Sequence, residues 1–410
     1  MLKKSINTIS FHDNLQKIKT FGHSMAPVML DQDIIYVKRI KFSRLKINDI
    51  ITVRKLNKVF THRVVYKNKA YLVTKGDNNL YCDGKIIPKH LVGRVEQVER
   101  NGRLINPTDT YLIQSTLYWQ EINNVIQEFE KEKIAYVILK GLPLHLYLEK
   151  THPQRIYADC DLLVEKESFL KVNKIMKKFG NKNPGSESKS VENNYFKTIN
   201  GFRVVFDIHL EPAFLMTKFS GLGALYSQKL TNQLTEELLH NKQIIDINNH
   251  KYFVLKTEYL IVYLTLHLFH HNFKGAFRYQ FIDLIIKKKR AEHLDWNMIY
   301  SIINRYQLAN FTYPVFALLK KHYQTPLPAS LIKSIKTNLK QPIGLKNINI
   351  FDDEAPIDAG INRFFNIFSL SPNPLWEKTL IFFNPKVIYF SYLVLKKRLF
   401  SFWPFQKQVR

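Results

Sequence analysis

The stretch YVILKGLPLHLYLEKTHPQRIYADCDLLV, residues 136–164, decides which fold we expect for this chain. It begins and ends with short apolar runs, YVILKG and CDLLV, whose composition is typical of buried strands. A helical pattern, FLKVNKIMKKFG, follows, and then another strand-like run, RVVFDIHL, at residues 203–210. Strands that alternate with helical segments predict an α/β or α+β domain in this part of the chain.

Three aspartates lie on or beside these strand-like runs. Asp159 and Asp161 are two residues apart. Side chains at i and i+2 of a strand leave the same face, so both carboxylates could bind one hard cation. Asp207, within RVVFDIHL, could join them from a neighbouring strand. Convergent carboxylates repel one another unless a divalent cation neutralises them, and such a metal centre serves nucleotidyl transfer. Solvated acids at a strand end are the alternative interpretation.

Together with its flanks, this region resembles an uncharacterised branch of the nucleotidyltransferase superfamily. The resemblance covers roughly residues 125 to 310. It includes the LKG turn, the DxDLLV and FDIHLEP strands, and EYLIVYLTLHLFHH followed by FIDLIIKKK. It implies an α/β nucleotidyltransferase-like core with a helical C-terminal half, a nucleoside triphosphate as substrate, and Asp159, Asp161 and Asp207 as Mg²⁺ ligands.

The same resemblance implies three residues that bind the nucleotide. Lys140 and Gly141 would lie in the turn that faces the triphosphate, and Arg155 would contact a phosphate. The superfamily's usual Gly-Ser pair is replaced here by Lys140 and Gly141.

Residues 20–105 have a different pattern. Short runs rich in Val, Ile and Tyr, such as DIIYVKRI and THRVVYK, are separated by Asp, Asn and Gly. This pattern predicts a small all-β domain with a strongly bent sheet or barrel. The complete fold prediction is therefore a multidomain α+β protein in which an all-β domain precedes the α/β core.

A serine, a histidine and two acids lie within this β-rich segment. Ser24 stands in FGHSMAPVML, His62 in THRVV, and Asp77 and Asp83 in TKGDNNLYCDG. A neutral imidazole is suited to take a hydroxyl proton at neutral pH, and a carboxylate on its other nitrogen would fix the tautomer. The spacing alone is compatible with chance, because these residue types are common.

The strings around these residues resemble the signal peptidase I and LexA-like serine peptidases. GHSMAPVMLDQDIIYV, INDIITV, THRVV, TKGDNNLYCDG and LVGRV stand in the family order over residues 22–95. The branch is the one in which a histidine serves as base, as in the endoplasmic-reticulum and sporulation types. The resemblance implies Ser24 as nucleophile, His62 as base, and a peptide or protein as substrate. Of the two acids, we expect Asp83 to orient His62 and Asp77 to fix the turn.

We predict three segments: a peptidase-like domain at 20–105, a nucleotidyltransferase-like domain at 115–325, and a basic, aromatic extension at 326–410. Helices are expected to dominate from about residue 230 to 325. Within them, His267 and His271 have the i, i+4 spacing of metal ligands, but so apolar a helix favours buried histidines. The aromatic and basic residues after 375 suit either an interfacial contact with an anionic membrane or packing on the transferase half.

Composition narrows the setting. The chain has 410 residues and a net charge of +27, which favours phosphate-bearing partners, although lysine-rich codon usage would give the same excess. Two cysteines provide no disulfide framework and predict a reducing, cytoplasmic compartment. We predict no signal peptide, no transmembrane helix and no specific nucleic-acid module.

The leading functional hypothesis is a two-domain enzyme that combines a serine endopeptidase with a Mg²⁺-dependent nucleotidyltransferase. The alternative is a regulatory or binding protein whose peptidase fold is non-catalytic or cleaves only itself. No Ala-Gly or Cys-Gly dipeptide stands before Ser24, which argues against self-cleavage at an upstream site.

Overall fold

The structure of the protein is a computed structural model, and two separate β-sheets organise it. It describes residues 11–12, 15–150, 157, 159–182, 192–199, 201–212, 224–289, 294–340, 344–345, 348–385, 387–389 and 391–392. The predicted β-rich N-terminal region and the predicted helical C-terminal half are both confirmed.

The first sheet is antiparallel and belongs to the N-terminal region. Its strands are β1 (Phe11–His12), β2 (Leu15–Lys19), β3 (Ile34–Lys38), β4 (Ile50–Lys55), β5 (Lys58–Lys67), β6 (Leu72–Lys75), β7 (Lys85–Ile86), β8 (Leu91–Arg100) and β9 (Arg103–Ile105). They pair in the order β1-β2-β3-β8-β4-β5-β6-β7, and β9 pairs with β8. The register shifts in the β3–β8, β4–β8 and β5–β6 pairs. Such irregularities bend a sheet, which agrees with the expected curvature.

The second sheet is mixed and forms the centre of the larger half. Its strands are β10 (Tyr136–Lys140), β11 (Cys160–Val164), β12 (Glu192–Ile199), β13 (Phe202–His209), β14 (Lys242–Ile247) and β15 (His250–Leu255). The order is β12-β13-β11-β10-β15-β14, with β11 parallel to β13 and β10 parallel to β15. This order places β11, which carries Asp161, between the strands that carry Asp207 and Lys140.

Helices surround this sheet and continue toward the C-terminus. They are α1 (Pro107–Lys131), α2 (Leu142–Glu149), α3 (Phe169–Lys178), α4 (Gln228–His240), α5 (Thr257–His270), α6 (Ala276–Lys289), α7 (Trp296–Arg305), α8 (Ala309–Tyr323), α9 (Ala329–Thr337), α10 (Pro356–Leu370) and α11 (Leu375–Thr379). Their apolar faces and the sheet share one continuous core. In the described part of the chain, no helix is both long and apolar enough to cross a membrane.

The hairpin β14–β15 differs from the helical pattern expected after residue 230. Its two strands are joined at Asn248 and Asn249, which have φ values of 51° and 65°. Two consecutive residues with positive φ form the type of tight turn that joins antiparallel strands, and Asn tolerates this conformation well. The hairpin extends the sheet beyond β10 before the helices resume at Thr257.

Candidate functional site

Three charged side chains lie side by side across the second sheet. Asp161 on β11 is the register partner of Asp207 on the parallel strand β13. On its other side, Asp161 is paired with Lys140 at the end of β10. Direct partners on neighbouring strands project from the same face, so the sheet itself brings these groups together.

Asp161 and Asp207 form a compact donor group with His209. One ligand atom from each of these three side chains lies within 4.8 Å of the others. Asp161 is 3% exposed and His209 is 2% exposed, and His209 Nε2 lies 2.9 Å from Asp161 Oδ1. Two carboxylates and an imidazole at this separation fit one divalent cation. His209 was not among the residues predicted from the sequence, although it stands two residues after Asp207 and therefore shares its face of β13.

Asp159 lies next to this group but contacts Lys140. The residue precedes β11, and its Oδ1 is 3.0 Å from Lys140 Nζ, while Asp161 Oδ2 is 2.5 Å from the same nitrogen. Burial alone would lower the pKa of Lys140, but the carboxylates of Asp159 and Asp161 outweigh it and raise the pKa. Lys140 is therefore an ammonium ion that neutralises part of the acidic cluster.

Gly141 makes the turn from β10 into α2. Its φ of +119° belongs to a region that side chains rarely adopt, so glycine is suited to this position. The remaining predicted nucleotide-binding residue, Arg155, lies outside the described residues. Asn194 on β12 donates to Asp207 Oδ1 over 2.5 Å and so supports this carboxylate from the next strand.

Helix α5 and the residue after it contribute three histidines near the acidic cluster: His267 and His270 lie in the helix, and His271 follows it directly. His267 Nε2 and His271 Nε2 are 3.2 Å apart, and the rings of His267 and His270 stack. Burial, followed by the charges of Lys140 and Arg278, lowers the pKa of His267 well below its usual range. The pKa values of His270 and His271 are lowered in the same way. Neutral imidazoles can donate and accept, so His267 and His271 share one hydrogen bond.

Ser24 lies in the first sheet's region, in the turn between β2 and β3. The turn is held from the opposite side by the loop after β6, because Asn78 N donates to Ser24 O over 2.8 Å. A Cβ atom at Gly76 would come within 2.6 Å of that oxygen. A glycine at this position therefore permits the loop to approach the serine closely.

Ser24, His62 and Asp83 form a continuous hydrogen-bonded chain. Ser24 Oγ is 2.9 Å from His62 Nε2, and Asp83 Oδ2 is 2.8 Å from His62 Nδ1. Since a carboxylate accepts, Nδ1 carries the proton and Nε2 is free to accept from the serine hydroxyl. Thr74 Oγ1 also donates to Asp83 Oδ2 over 2.8 Å. This geometry is suited to activation of the hydroxyl as a nucleophile.

Asp77 has a different partner. It receives a two-pronged contact from Arg63, with Nε at 2.6 Å from Oδ1 and Nη2 at 2.5 Å from Oδ2. Arg63 follows His62 directly on β5, so its side chain leaves the opposite face of the strand. The guanidinium also lies over the Tyr111 ring of α1, 4.8 Å from its centroid. Asp77 thus helps to join the first sheet to helix α1.

A groove of about 210 Å³ leads to Ser24. One side follows β2 and the turn after it, and the other side follows Val59, Phe60 and Thr61 of β5. Its floor includes Met25 and Met29, which are almost completely buried. A groove between extended segments can hold a peptide in an extended conformation.

Comparisons with known proteins agree with part of this picture. A family model described as an uncharacterised nucleotidyltransferase matches residues 103–324, more than half of the chain. None of the curated proteins compared matches the chain. The solved antibiotic-resistance factor ANT(2'')-Ia is similar over 52% of this chain and 98% of its own, with 12% identity and a TM-score of 0.31. An antigenic nucleotidyltransferase-like protein from Paracoccidioides brasiliensis is similar over 55% of this chain and 92% of its own, with 14% identity and a TM-score of 0.29.

Proposed function

The chain belongs to the family of uncharacterised nucleotidyltransferases, and we propose that it is a two-domain enzyme with a second, peptidase site. The transferase site comprises Asp161, Asp207, His209 and Lys140. The peptidase site comprises Ser24, His62 and Asp83. We propose a peptidase domain at residues 20–105, a transferase domain at 115–325 and a C-terminal extension at 326–410. We also propose a cytoplasmic location, which suits the free thiols of Cys82 and Cys160.

The observation that carries the transferase proposal is the alignment of Asp161 with Asp207 across β11 and β13, with His209 beside them. In nucleotidyl transfer, an acceptor oxygen attacks the α-phosphorus, and the bond to the bridging oxygen breaks as pyrophosphate leaves. Mg²⁺ bound by these three residues would neutralise charge on the phosphates and the carboxylates. Lys140 offers a fixed positive charge at the edge of the same group, where phosphate oxygens would be bound.

In this proposal Asp159 serves Lys140 rather than the metal. Support comes from the 3.0 Å distance between Asp159 Oδ1 and Lys140 Nζ, and from the position of Asp159 ahead of the strand. Asp161 Oδ2 completes the arrangement from the other side of the ammonium. The resemblance assigned all three aspartates to the metal, and the Asp159→Asn variant distinguishes the two assignments. Loss of metal affinity as large as in Asp161→Asn would favour the original one.

Calorimetry of nucleoside triphosphate binding tests the transferase proposal. Wild-type protein should bind at least about tenfold more tightly with Mg²⁺ than with a chelator, because the carboxylates repel an uncompensated triphosphate. The Asp161→Asn variant should lose this Mg²⁺ dependence. Asp109→Asn, which removes an exposed carboxylate at the start of α1, should keep it. Equal Mg²⁺-dependent affinity in wild type and Asp161→Asn would contradict the proposal.

A second activity is favoured by a specific observation, the Ser24–His62–Asp83 hydrogen-bonded chain. In the proposed reaction Ser24 Oγ attacks the scissile carbonyl while His62 Nε2 takes its proton, and Asp83 stabilises the imidazolium through Nδ1–H. His62 then gives the proton to the departing amine, which leaves an acyl-serine. Water, deprotonated by the same histidine, releases the acid and restores Ser24. The groove beside Ser24 supports a peptide or protein as the substrate.

Active-site labelling and peptide cleavage test the peptidase proposal. A fluorophosphonate probe should label wild-type protein, and Ser24→Ala and His62→Ala should each reduce labelling and cleavage of a fluorogenic peptide library by at least about a thousandfold. The double variant should lose no more than either single variant, because the two groups act as one unit. Ser43→Ala, at an exposed serine, is the matched control. Labelling or cleavage that survives in Ser24→Ala would exclude Ser24 as nucleophile.

For the C-terminal extension we propose a peripheral contact with anionic membranes. Its support is the exposure of large apolar side chains in the described part, among them Trp376, Phe383 and Tyr389. Apolar groups of this kind, next to cations, suit the headgroup region. Co-sedimentation should detect binding to anionic vesicles and weak binding to neutral ones. Equal or undetectable binding to both would refute this contact.

A further inference from the structure

An acidic segment of the C-terminal extension, residues 349–354, contacts the loop that carries Asp83. Cys82 N donates to Asp352 Oδ1 over 3.0 Å, and Asp353 N donates to Leu80 O over 2.6 Å. The side chain of Asp353 also forms an ion pair with Lys75, at the end of β6. The segment and the loop are thus joined by one backbone–backbone hydrogen bond, one hydrogen bond from a backbone amide to the Asp352 carboxylate, and one ion pair, although about 270 residues separate them in the sequence.

These contacts are close to the proposed catalytic acid. The loop leaves β6 at Gly76 and ends at Asp83, which faces His62. Asp352 accepts its hydrogen bond from the backbone amide of Cys82, and Cys82 directly precedes Asp83. On the other side, Asp83 N donates to Thr74 O over 2.8 Å. The backbone of Asp83 is therefore fixed by a hydrogen bond to its own sheet, and the backbone of the preceding residue, Cys82, is fixed by a hydrogen bond to the C-terminal extension.

The other face of the segment is bound to the transferase half. Glu354 Oε1 lies 2.6 Å from Lys274 Nζ, and Asp353 Oδ1 lies 3.5 Å from Arg278 Nη1. Gly275 N donates to Ile350 O over 2.9 Å. These partners lie between α5 and the first turn of α6, so the segment connects the peptidase loop to the transferase helices.

Aromatic packing holds the centre of the segment in place. The ring of Phe351 lies 5.2 Å from that of Tyr66 on β5 and 5.7 Å from that of His322 on α8. Tyr66 also donates its hydroxyl proton to His322 O over 3.0 Å. Side chains from both halves therefore restrict the segment, which is what a support for a catalytic loop requires.

We propose that Asp352 is a positioning residue of the peptidase site, supplied by the C-terminal extension and anchored on the transferase half. It rests on the proposed peptidase function. Asp352 accepts the Cys82 amide hydrogen and so fixes the backbone that aims Asp83 at His62 Nδ1. The peptidase constellation is complete only when the extension is docked, so the two halves act as one unit.

Two variants of Asp352 in the full-length protein separate this role from general destabilisation. Asp352→Ala removes the acceptor, whereas Asp352→Asn keeps one oxygen that can accept from Cys82 N and replaces the oxygen that accepts from Asn349 Nδ2 by an amide nitrogen. We expect fluorophosphonate labelling of Asp352→Ala to be at least about tenfold slower at saturating probe, with little change in the probe concentration for half-maximal rate. Asp352→Asn should stay within about threefold of wild type. Mg²⁺-nucleotide binding should be unchanged in both, and Asp109→Ala is the control.

A spectroscopic readout covers the case in which the wild type does not react. In protein labelled with ¹⁵N-histidine, the His62 Nδ1 proton should give a downfield resonance, assigned by its loss in His62→Gln. This resonance should be retained in Asp352→Asn and lost or broadened in Asp352→Ala. If wild-type protein gives the His62 resonance but is not labelled by the probe, the proposed peptidase function is rejected. The resonances of Asp352→Ala and Asp352→Asn then decide whether Asp352 positions Asp83.

Two results would overturn the inference. One is that Asp352→Ala is labelled as fast as the wild type and keeps an unchanged His62 resonance. The other is an equal loss in Asp352→Ala and Asp352→Asn, because the hydrogen bond to Cys82 would then not be the cause.

Discussion

Lys140 ends β10 beside the acidic cluster, and its partners explain how a mostly buried lysine is accommodated there. Its ammonium group lies between the carboxylates of Asp159 and Asp161, and the side chain is only 14% exposed. Asp159, Asp161 and Asp207 would otherwise concentrate negative charge at this edge of the sheet. A fixed cation stabilises the cluster before any nucleotide binds.

Replacement of Lys140 by Met is therefore expected to destabilise the fold. The variant removes the ammonium group that two buried or half-buried carboxylates share, and breaking such an ion pair typically costs about 3 kcal/mol. Urea unfolding should show this loss, and calorimetry should show weaker nucleotide binding. Lys178→Met, which removes an exposed partner of Glu128, is the matched control and should change little. Wild-type stability of Lys140→Met would mean that the ammonium is not needed to balance the acids.

Single residues also show what sequence reasoning can and cannot resolve. Asp161 and Asp207 could be placed together because strand periodicity and a family motif both applied to them. His209 was missed, although the same period of two places it on their face, because histidine is not part of the expected acidic pattern. Which of Asp77 and Asp83 orients His62 depends on Arg63, because Arg63 forms an ion pair with Asp77. Such a partner cannot be identified without the pairing of strands.

At the scale of elements, the second sheet is the part in which local pattern and final structure agree best. The runs that contain Lys140, Asp161 and Asp207 were all predicted as strands, and they became β10, β11 and β13. The hairpin β14–β15 lies in the region in which helices were expected to dominate, although two adjacent asparagines mark its turn. The short strands on both sides alternate only weakly, so periodicity gave a poor signal there.

Helix α5 should make the stability of the protein sensitive to mild acid. Burial is the chief cause that lowers the pKa values of His267 and His270 in the helix and of His271 directly after it, and His267 is only 7% exposed. The unfolded chain binds protons below about pH 6.5 while the folded chain does not. Their stabilising contribution is therefore complete above pH 6.5 and decreases as the pH falls towards the folded-state pKa values. Each histidine that stays neutral in the folded protein contributes a slope of about 1.4 kcal/mol per pH unit below pH 6.5.

Urea unfolding between pH 7 and pH 5 measures this slope. The His267→Gln variant keeps a neutral polar side chain and removes one titrating group, so the free energy of unfolding should fall less steeply with decreasing pH. His240→Gln, at an exposed position at the end of α4, should keep the wild-type slope. Identical slopes in wild type and His267→Gln would mean that His267 takes up its proton in the folded protein.

At the scale of the whole molecule, the two halves share contacts that neither sequence pattern indicates. Arg63 packs on Tyr111 of α1, Tyr66 bonds to His322 of α8, and the segment 349–354 bridges the Asp83 loop and α6. These partners are up to about 270 residues apart, and local propensity carries no information on such pairs. A β-rich N-terminal region followed by a helical C-terminal half could be predicted, whereas the contacts between these parts required the structure.

The central claim is that the carboxylate centre on the second sheet transfers nucleotidyl groups. Incubation of the purified protein with Mg²⁺, a host lysate as the source of acceptors, and nucleoside triphosphates labelled at either the α- or the γ-phosphate tests it most directly. We expect covalent incorporation of the α-label with release of pyrophosphate, loss of incorporation in Asp207→Asn, and wild-type incorporation in Ser24→Ala. Incorporation of the γ-label alone, or α-label incorporation that persists in Asp207→Asn, would contradict the account.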